Sequence, residues 1–153
     1  MLLYDALALA GTQGHFGHLK LDRMLAYVSA HRLPVVLFAE GGGGRPGDVD
    51  TQHMVASGLC VPSFEAFAQL SGTVPLIGIV AGYCFAGNAA LAGMTDIVIC
   101  VKGASLGMAG PAMLEGAGMG SVPPSSIGPS SVHAAAGSVD VIVPSEAEAV
   151  QVC

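Results

Sequence analysis

Charged residues make up only 10% of this 153-residue chain, against roughly 25% in an average soluble domain. The five basic residues, Lys20, Arg23, Arg32, Arg45 and Lys102, are scattered, and the net charge is −6. No basic stripe exists to neutralise a phosphate backbone, which argues against nucleic acid as a partner. The four cysteines, Cys60, Cys84, Cys100 and Cys153, have no short paired spacing. That speaks against a zinc ribbon or a disulfide framework, and the thiols read as reduced and buried in a cytoplasmic protein. Residues 1–10 are apolar but lack a basic segment and carry Asp5, so they make a poor secretory signal. No charge falls between Glu65 and Asp96, a run long enough on paper to span a membrane. Pro75, Asn88 and the glycines Gly72, Gly78, Gly82, Gly87 and Gly93 interrupt it. It divides instead into strand, loop and helix, and no membrane association is expected.

Hydrophobic residues reach 52%, ample apolar surface to offset chain entropy, so disorder is excluded. With so few charges, a lone monomer of this composition would expose large apolar patches. The chain is expected to work within an assembly, as a homo-oligomer or with a partner.

The apolar residues fall into a series of strand–helix units. Residues 2–9 are apolar apart from Tyr4 and Asp5 and predict a buried strand. After a glycine-punctuated turn over residues 11–17, Leu21, Met24, Leu25 and Val28 recur at helical spacing, with Lys20, Asp22, Arg23 and Arg32 toward water. Pro34 stops that helix, and residues 35–38 predict a strand buried on both faces. Ser63 is the expected N-cap of a helix whose core stripe is Phe64, Phe67, Ala68 and Leu70. Residues 75–80 predict a third strand, residues 85–94 a small-residue helix, and residues 97–101 another strand. Leu106 lies in a short extended piece, glycine- and proline-rich sequence runs to Pro129, and residues 139–143 form a last strand. Ser145 and the acidic residues Glu146 and Glu148 open a final helix at its positive end. Alternation of this kind predicts an α/β fold with a parallel sheet, whose function sits beyond the carboxyl ends of the strands.

Two glycine loops lie there, residues 41–47 and 82–88. Glycine lets backbone N–H groups converge on a concavity, because no Cβ forbids the required φ or blocks a ligand. Gly42 and Gly43 are expected to offer a donor after one strand, and Ala86 or Gly87 a second after the next. Two such donors on one oxygen form an oxyanion hole. The bland alternative is that these glycines only make tight turns. A phosphate loop is not indicated, since Gly44 is followed by Arg45-Pro46 rather than Lys-Ser/Thr, and no good helix opens behind Pro46-Gly47-Asp48.

In order, Gly11-Thr12-Gln13-Gly14-His15-Phe16-Gly17-His18-Leu19-Lys20, Glu40-Gly41-Gly42-Gly43-Gly44-Arg45, Gly82-Tyr83-Cys84-Phe85-Ala86-Gly87-Asn88-Ala89, Met94-Thr95-Asp96, Met108-Ala109-Gly110-Pro111 and Ile127-Gly128-Pro129 form a series with a known counterpart. The chain resembles the carboxyltransferase component of biotin-dependent acyl-CoA carboxylases, of the acetyl- and propionyl-CoA type, over nearly its whole length. The wording of residues 14–47 is nearest to carboxyltransferase domains of large multidomain carboxylases. The resemblance implies a crotonase-like ββα superhelix, with residues 1–153 forming a partial N-terminal, acyl-CoA-binding half-domain. It implies carboxyl transfer from carboxybiotin, carried on a separate domain or protein, to the α-carbon of an acyl-CoA. The thioester oxygen would become an enolate held by backbone N–H groups. The matching positions are Gly42 and Gly43 in the first loop and Ala86 and Gly87 in the second. The family usually has two glycines at the second place; an alanine still offers its N–H provided its φ is negative. Lys20 and Arg23 fall where such proteins approach the CoA head group, a solvated helix face being the alternative. Implied partners are a second carboxyltransferase half and a biotin carrier domain, and the implied chain is inactive by itself.

His15 and His18 could share a metal only on a helix, which Gly17 opposes, so no metal is expected. His133 reads as structural. Glu40 and Glu115 are the acids near the site, Glu40 being more simply a loop anchor that accepts backbone N–H bonds. Alternatives to a carboxyltransferase half are another crotonase-like acyl-CoA hydratase or isomerase, and a non-catalytic assembly piece.

Overall fold

The computed structural model describes residues 1–45 and 62–153. A five-stranded, all-parallel sheet runs in the order β1 (Leu2–Leu3), β2 (Val35–Phe38), β3 (Leu76–Val80), β5 (Ile97–Val101) and β7 (Val141–Val143). Register couples Leu37 to Gly78 and Gly78 to Val98, and β7 closes the row with Cys100 opposite Ile142. A smaller parallel pair, β4 (Tyr83–Phe85) and β6 (Ser105–Gly107), stands beyond the carboxyl end of β3.

Period-two alternation sends Val35, Leu37 and Ala39 to one face of the sheet and Val36 and Phe38 to the other. The first face carries the larger core. There α1 (His15–His31) inserts Leu21, Leu25 and Val28, α2 (Ser63–Ala68) inserts the fully buried Phe67, and α3 (Gly87–Gly93) inserts Leu91 and Ala92. Each such aliphatic or aromatic burial is worth about 1.5–3 kcal/mol, so this face holds most of the stabilisation. The second face is covered by α6 (Glu146–Val152), which packs Ala149 over Ile79, Ile99 and Val143. Ser145 caps α6 as expected, its hydroxyl accepting the Glu148 N–H. The helices α4 (Pro111–Gly116) and α5 (Ser130–Ala136) and a 3-10 turn at Pro124–Ser126 give regular structure to the segment expected to be merely glycine- and proline-rich.

Several expectations need correction. Residues 2–9 are not one strand. Pairing stops at Leu3, the Asp5 carboxylate takes the Leu7 N–H at 2.9 Å, and Leu7 is 98% exposed. A side-chain acceptor competing with the ladder ends the strand. Gly17 does not break α1, which begins at His15. Met24 lies at the helix rim, 39% exposed, while the buried stripe gains His18. Asp22 does not face water: the Ser63 hydroxyl donates to its Oδ1, and Ser63 is paired with His18 Nδ1 at 2.9 Å. Ser63 is therefore no N-cap. Pro62 holds that position, and Ser63 is buried as a staple between α1 and α2. Ala68 faces outward, with Ala66 packed inward in its place. The loop at residues 82–88 contains β4, and α3 starts at Gly87 rather than Phe85. Cys60 and the residues 46–48 behind the first glycine loop lie outside the described residues.

Candidate functional site

Three loops meet beyond β2 and β3. The 3-10 turn Leu9–Gly11 and the residues after it lie beside residues 41–45: the Gln13 N–H donates to the Gly43 carbonyl at 2.7 Å, and the Arg45 N–H to the Gln13 carbonyl at 2.9 Å. On its other side, Gly41 donates to Tyr83 and accepts from the Phe85 N–H, both at 2.8 Å. The glycine loop is thus an edge shared by two neighbours, since extended backbone exposes donors and acceptors on both sides.

At the centre lies Asn88, fully buried. Its Oδ1 accepts the Gly43 N–H at 2.9 Å, while Nδ2 donates to the Glu40 carbonyl at 3.1 Å and to the Gly11 carbonyl at 3.4 Å. One amide side chain joins the three loops. In the sequence Asn88 stands out only as an interruption of an apolar run and as a member of the second glycine motif, with no role of its own. An amide amid small apolar residues is nonetheless a signal, because a buried amide must find both donors and acceptors.

The two glycine loops converge. Gly43 sits at φ +85, and a Cβ placed there would meet the Ala86 methyl at 2.5 Å and Gly87 N at 3.2 Å. Only glycine fits at this crossing. The four expected donors do not, however, all face a common point. Gly42 gives its N–H to the Ala10 carbonyl at 3.1 Å, Gly43 gives its own to Asn88, and Ala86 donates to the Gly107 carbonyl at 2.9 Å. The condition set for Ala86 also fails: its φ is +52, with ψ −120. Gly87 is the exception, and its N–H has no hydrogen-bond partner among the described residues. Gly87 is closely walled, because a Cβ there would run into Gln13 Oε1 and approach Phe64 to 3.3 Å.

Near this junction a concavity of about 180 Å³ is lined by Tyr4, Thr12, Gln13, Phe16 and Arg45, among others. Burial pushes the Tyr4 phenol up to about 12, and its hydroxyl accepts from Gln13 Nε2 at 3.3 Å. Tyr4 is therefore neutral near pH 7 and Gln13, also buried, is held in place. Arg45 donates through Nε and Nη2 to the hydroxyl and carbonyl of Thr12, each at 3.0 Å.

Glu40 anchors the end of β2, its Oε1 accepting the Ala81 N–H at 3.1 Å. Burial raises its carboxyl above the usual range, against the lowering effect of that N–H. Glu115 is exposed on α4. His133 is structural: Nε2 donates to the Leu106 carbonyl at 2.6 Å and Nδ1 pairs with Ser138 Oγ at 2.8 Å, tying α5 to β6. Burial raises the Cys84 thiol, which donates to the Ala39 carbonyl, and raises Cys100 to about 11, so neither is poised as a thiolate. His15 and His18 do share a helix, contrary to expectation, but His18 Nδ1 is directed at Ser63. No group of three or more metal-ligating side chains occurs among the described residues. Lys20 and Arg23 lie exposed on α1. No helix among the described residues is long and apolar enough to cross a membrane.

A family model described as the carboxyl transferase domain matches residues 3–153. No curated protein matches the chain. Among solved structures, a single-chain, multi-domain long-chain acyl-CoA carboxylase is 51% identical with a TM-score of 0.89, covering 99% of this chain and 15% of that one. The β subunit of geranyl-CoA carboxylase from P. aeruginosa gives 24% identity and a TM-score of 0.78, over 99% of this chain and 28% of its own. The transcarboxylase 12S hexamer core, solved with methylmalonyl-coenzyme A, gives 24% and 0.76, over 92% of this chain and 26% of that one. The chain therefore spans a minor part of each of these relatives. The last two likenesses concern the fold alone, which is the crotonase-like α/β arrangement expected from the sequence.

Proposed function

The chain belongs to the carboxyl transferase domain family, and from that premise we infer that it is the acyl-CoA-binding part of a biotin-dependent acyl-CoA carboxylase. The observation that carries this reading is the crossing of Gly43 over Ala86 and Gly87, beside which the Gly87 N–H, the first of α3, has no partner among the described residues. Deprotonation at the α-carbon of an acyl-CoA moves charge onto the thioester oxygen. A fixed backbone donor stabilises that charge without reorganising, and removing one such donor typically costs about 2.7–4 kcal/mol of barrier. Gly87 is assigned that role. Gly42, Gly43 and Ala86, whose own N–H groups are engaged, shape the space around it. Lys20 and Arg23, exposed on α1, are assigned to the phosphates of the CoA head group.

Carboxybiotin, presented by a separate domain or protein, is the carboxyl donor, and every role assigned to this chain concerns the acyl-CoA. Residues 1–153 form one partial half-domain in this reading, with a second carboxyltransferase half and a biotin carrier as partners in an oligomer. Leu3 and Ile97, 60% and 43% exposed on the sheet face that α6 covers over β5 and β7, offer apolar surface to such a partner. A hydratase or isomerase is less well supported, because Glu40 is engaged by Ala81 and Glu115 is exposed on α4.

The test compares octanoyl-CoA with S-octyl-CoA, a thioether lacking only the carbonyl oxygen, by ligand-detected NMR on the 153-residue chain. A preference for the thioester of about 3–10-fold, the worth of one hydrogen bond, is expected. Equal affinity refutes the assignment of Gly87.

A further inference from the structure

Four extended segments lie side by side beyond the sheet. Gln13 bridges Gly44, Gly41 bridges Cys84 of β4, and β4 pairs with β6, all in parallel. On one side of this row α1, which carries Lys20 and Arg23, begins just after Gln13. On the other side β6 runs into Met108. Between Lys102 and Asp140 the only charged residue is Glu115. α4 follows β6 and buries none of its residues, and Met108, Met113 and Met119 are 66, 61 and 67% exposed. Backbone bonds fix the last two at the ends of α4: the Met113 N–H donates to the Gly110 carbonyl and the Met119 N–H to the Leu114 carbonyl, each at 3.1 Å.

This methionine surface adjoins the second glycine loop. The Ala86 N–H donates to the Gly107 carbonyl at 2.9 Å. Gly107 and Gly110 lie against the Phe85 ring, where an added Cβ would sit 3.7 and 3.5 Å from it. A nearly uncharged, exposed apolar surface marks a place where an apolar group docks. The unbranched, polarisable thioether of methionine moulds itself to ligands of different shape.

We propose that Met108, Met113 and Met119 form a specificity surface for the alkyl chain of a medium- or long-chain acyl-CoA. The proposal rests on the acyl-CoA reading above, and is independent of which N–H meets the thioester. With the head group at α1 and the thioester where Gly43 crosses Ala86 and Gly87, the row of segments leaves the β6 side to the acyl chain. A short acyl group gains little from the methionines, so the discrimination is by chain length.

The experiment measures the affinity of the 153-residue chain for butyryl-, octanoyl- and dodecanoyl-CoA. A fully buried methylene is worth about fourfold in affinity, and one lying on an open face about twofold. A gain on the order of tenfold from octanoyl- to dodecanoyl-CoA is therefore expected. The triple variant Met108→Gln, Met113→Gln, Met119→Gln keeps side-chain length and should reduce that gain to less than about threefold. Met24→Gln, an exposed methionine on the α1 rim, should leave the gain in place. Spectra of the wild-type chain labelled with 13C at the methionine methyl groups provide a second readout that needs no variant to fold. The signals of Met108, Met113 and Met119 should shift with dodecanoyl-CoA and stay still with butyryl-CoA. A gain that survives in the triple variant, or shifts confined to other methionines, overturns the proposal. If the triple variant instead lowers the association state in sedimentation and keeps the gain, a second copy covers this face and the proposal fails. Equal affinity for all three esters overturns the proposal alone, whereas no binding of any ester overturns the acyl-CoA reading and the proposal with it.

Discussion

Replacing Asn88 with alanine tests whether one buried amide holds the three loops together. The Gly43 N–H, buried and given to Asn88 Oδ1 at 2.9 Å, would be orphaned, at about 1–3 kcal/mol. Loss of the 3.1 Å bond to the Glu40 carbonyl adds roughly 0.5–1.5 kcal/mol. The 3.4 Å bond to Gly11 is too long to count for much. The vacated volume adds on the order of 1 kcal/mol. The sum, about 3–5 kcal/mol, corresponds to a melting temperature lower by on the order of 10 °C for a chain of this size. Urea denaturation followed by circular dichroism measures it directly. Asn88→Asp sharpens the test. A carboxylate still accepts from Gly43 but has no hydrogen for the Glu40 and Gly11 carbonyls, so at pH 7 it should be at least as damaging as alanine. Its folded-state pKa is raised above the unfolded value of roughly 3.9. The deficit is therefore full above the folded pKa and shrinks as pH falls through it. A loss below about 1 kcal/mol for the alanine variant, or an aspartate variant level with wild type at pH 7, would refute the account.

Gly43→Ala should destabilise by roughly 2–4 kcal/mol, since φ +85 and contact with the Ala86 methyl both oppose a side chain; chemical denaturation checks it. Ser63→Ala should cost about 1–3 kcal/mol by leaving His18 and Asp22 unpaired across α1 and α2. Burial lowers the His18 pKa, so its contribution is present above pH ~6.5 and is lost as pH falls through the folded value; His18→Asn should flatten the fall in urea midpoint between about pH 7 and 5. Lys20→Ala should weaken CoA binding by a few-fold at low salt, and the difference should vanish near 0.5 M salt, as expected for an exposed charge on a phosphate; calorimetry at two ionic strengths decides. Gly87→Pro would remove the proposed donor but would also drive its ring into Gln13 and Phe64, so loss of binding there would not isolate the N–H.

Much of the scaffold was legible in the chain itself. Val35 to Phe38, Leu76 to Val80 and Ile97 to Val101 are unbroken apolar runs bounded by Pro34, Pro75 and Asp96, and strands buried on both faces require that composition. The spacing of Leu21, Leu25 and Val28 defined α1, and the ordered glycine motifs defined the family. Where each loop N–H goes was not legible. Gly42 is satisfied by Ala10, Gly43 by Asn88 and Ala86 by Gly107, partners 21 to 45 positions away that local propensity does not register. The same holds for Asp22, a surface residue by helical periodicity, which is drawn inward by Ser63. Composition told which loops could present donors, because glycine permits the conformations. Only the tertiary structure decided which of them are engaged, the Gly87 N–H having no partner among the described residues, because a backbone donor is taken by whatever acceptor the packed neighbours bring within hydrogen-bond reach.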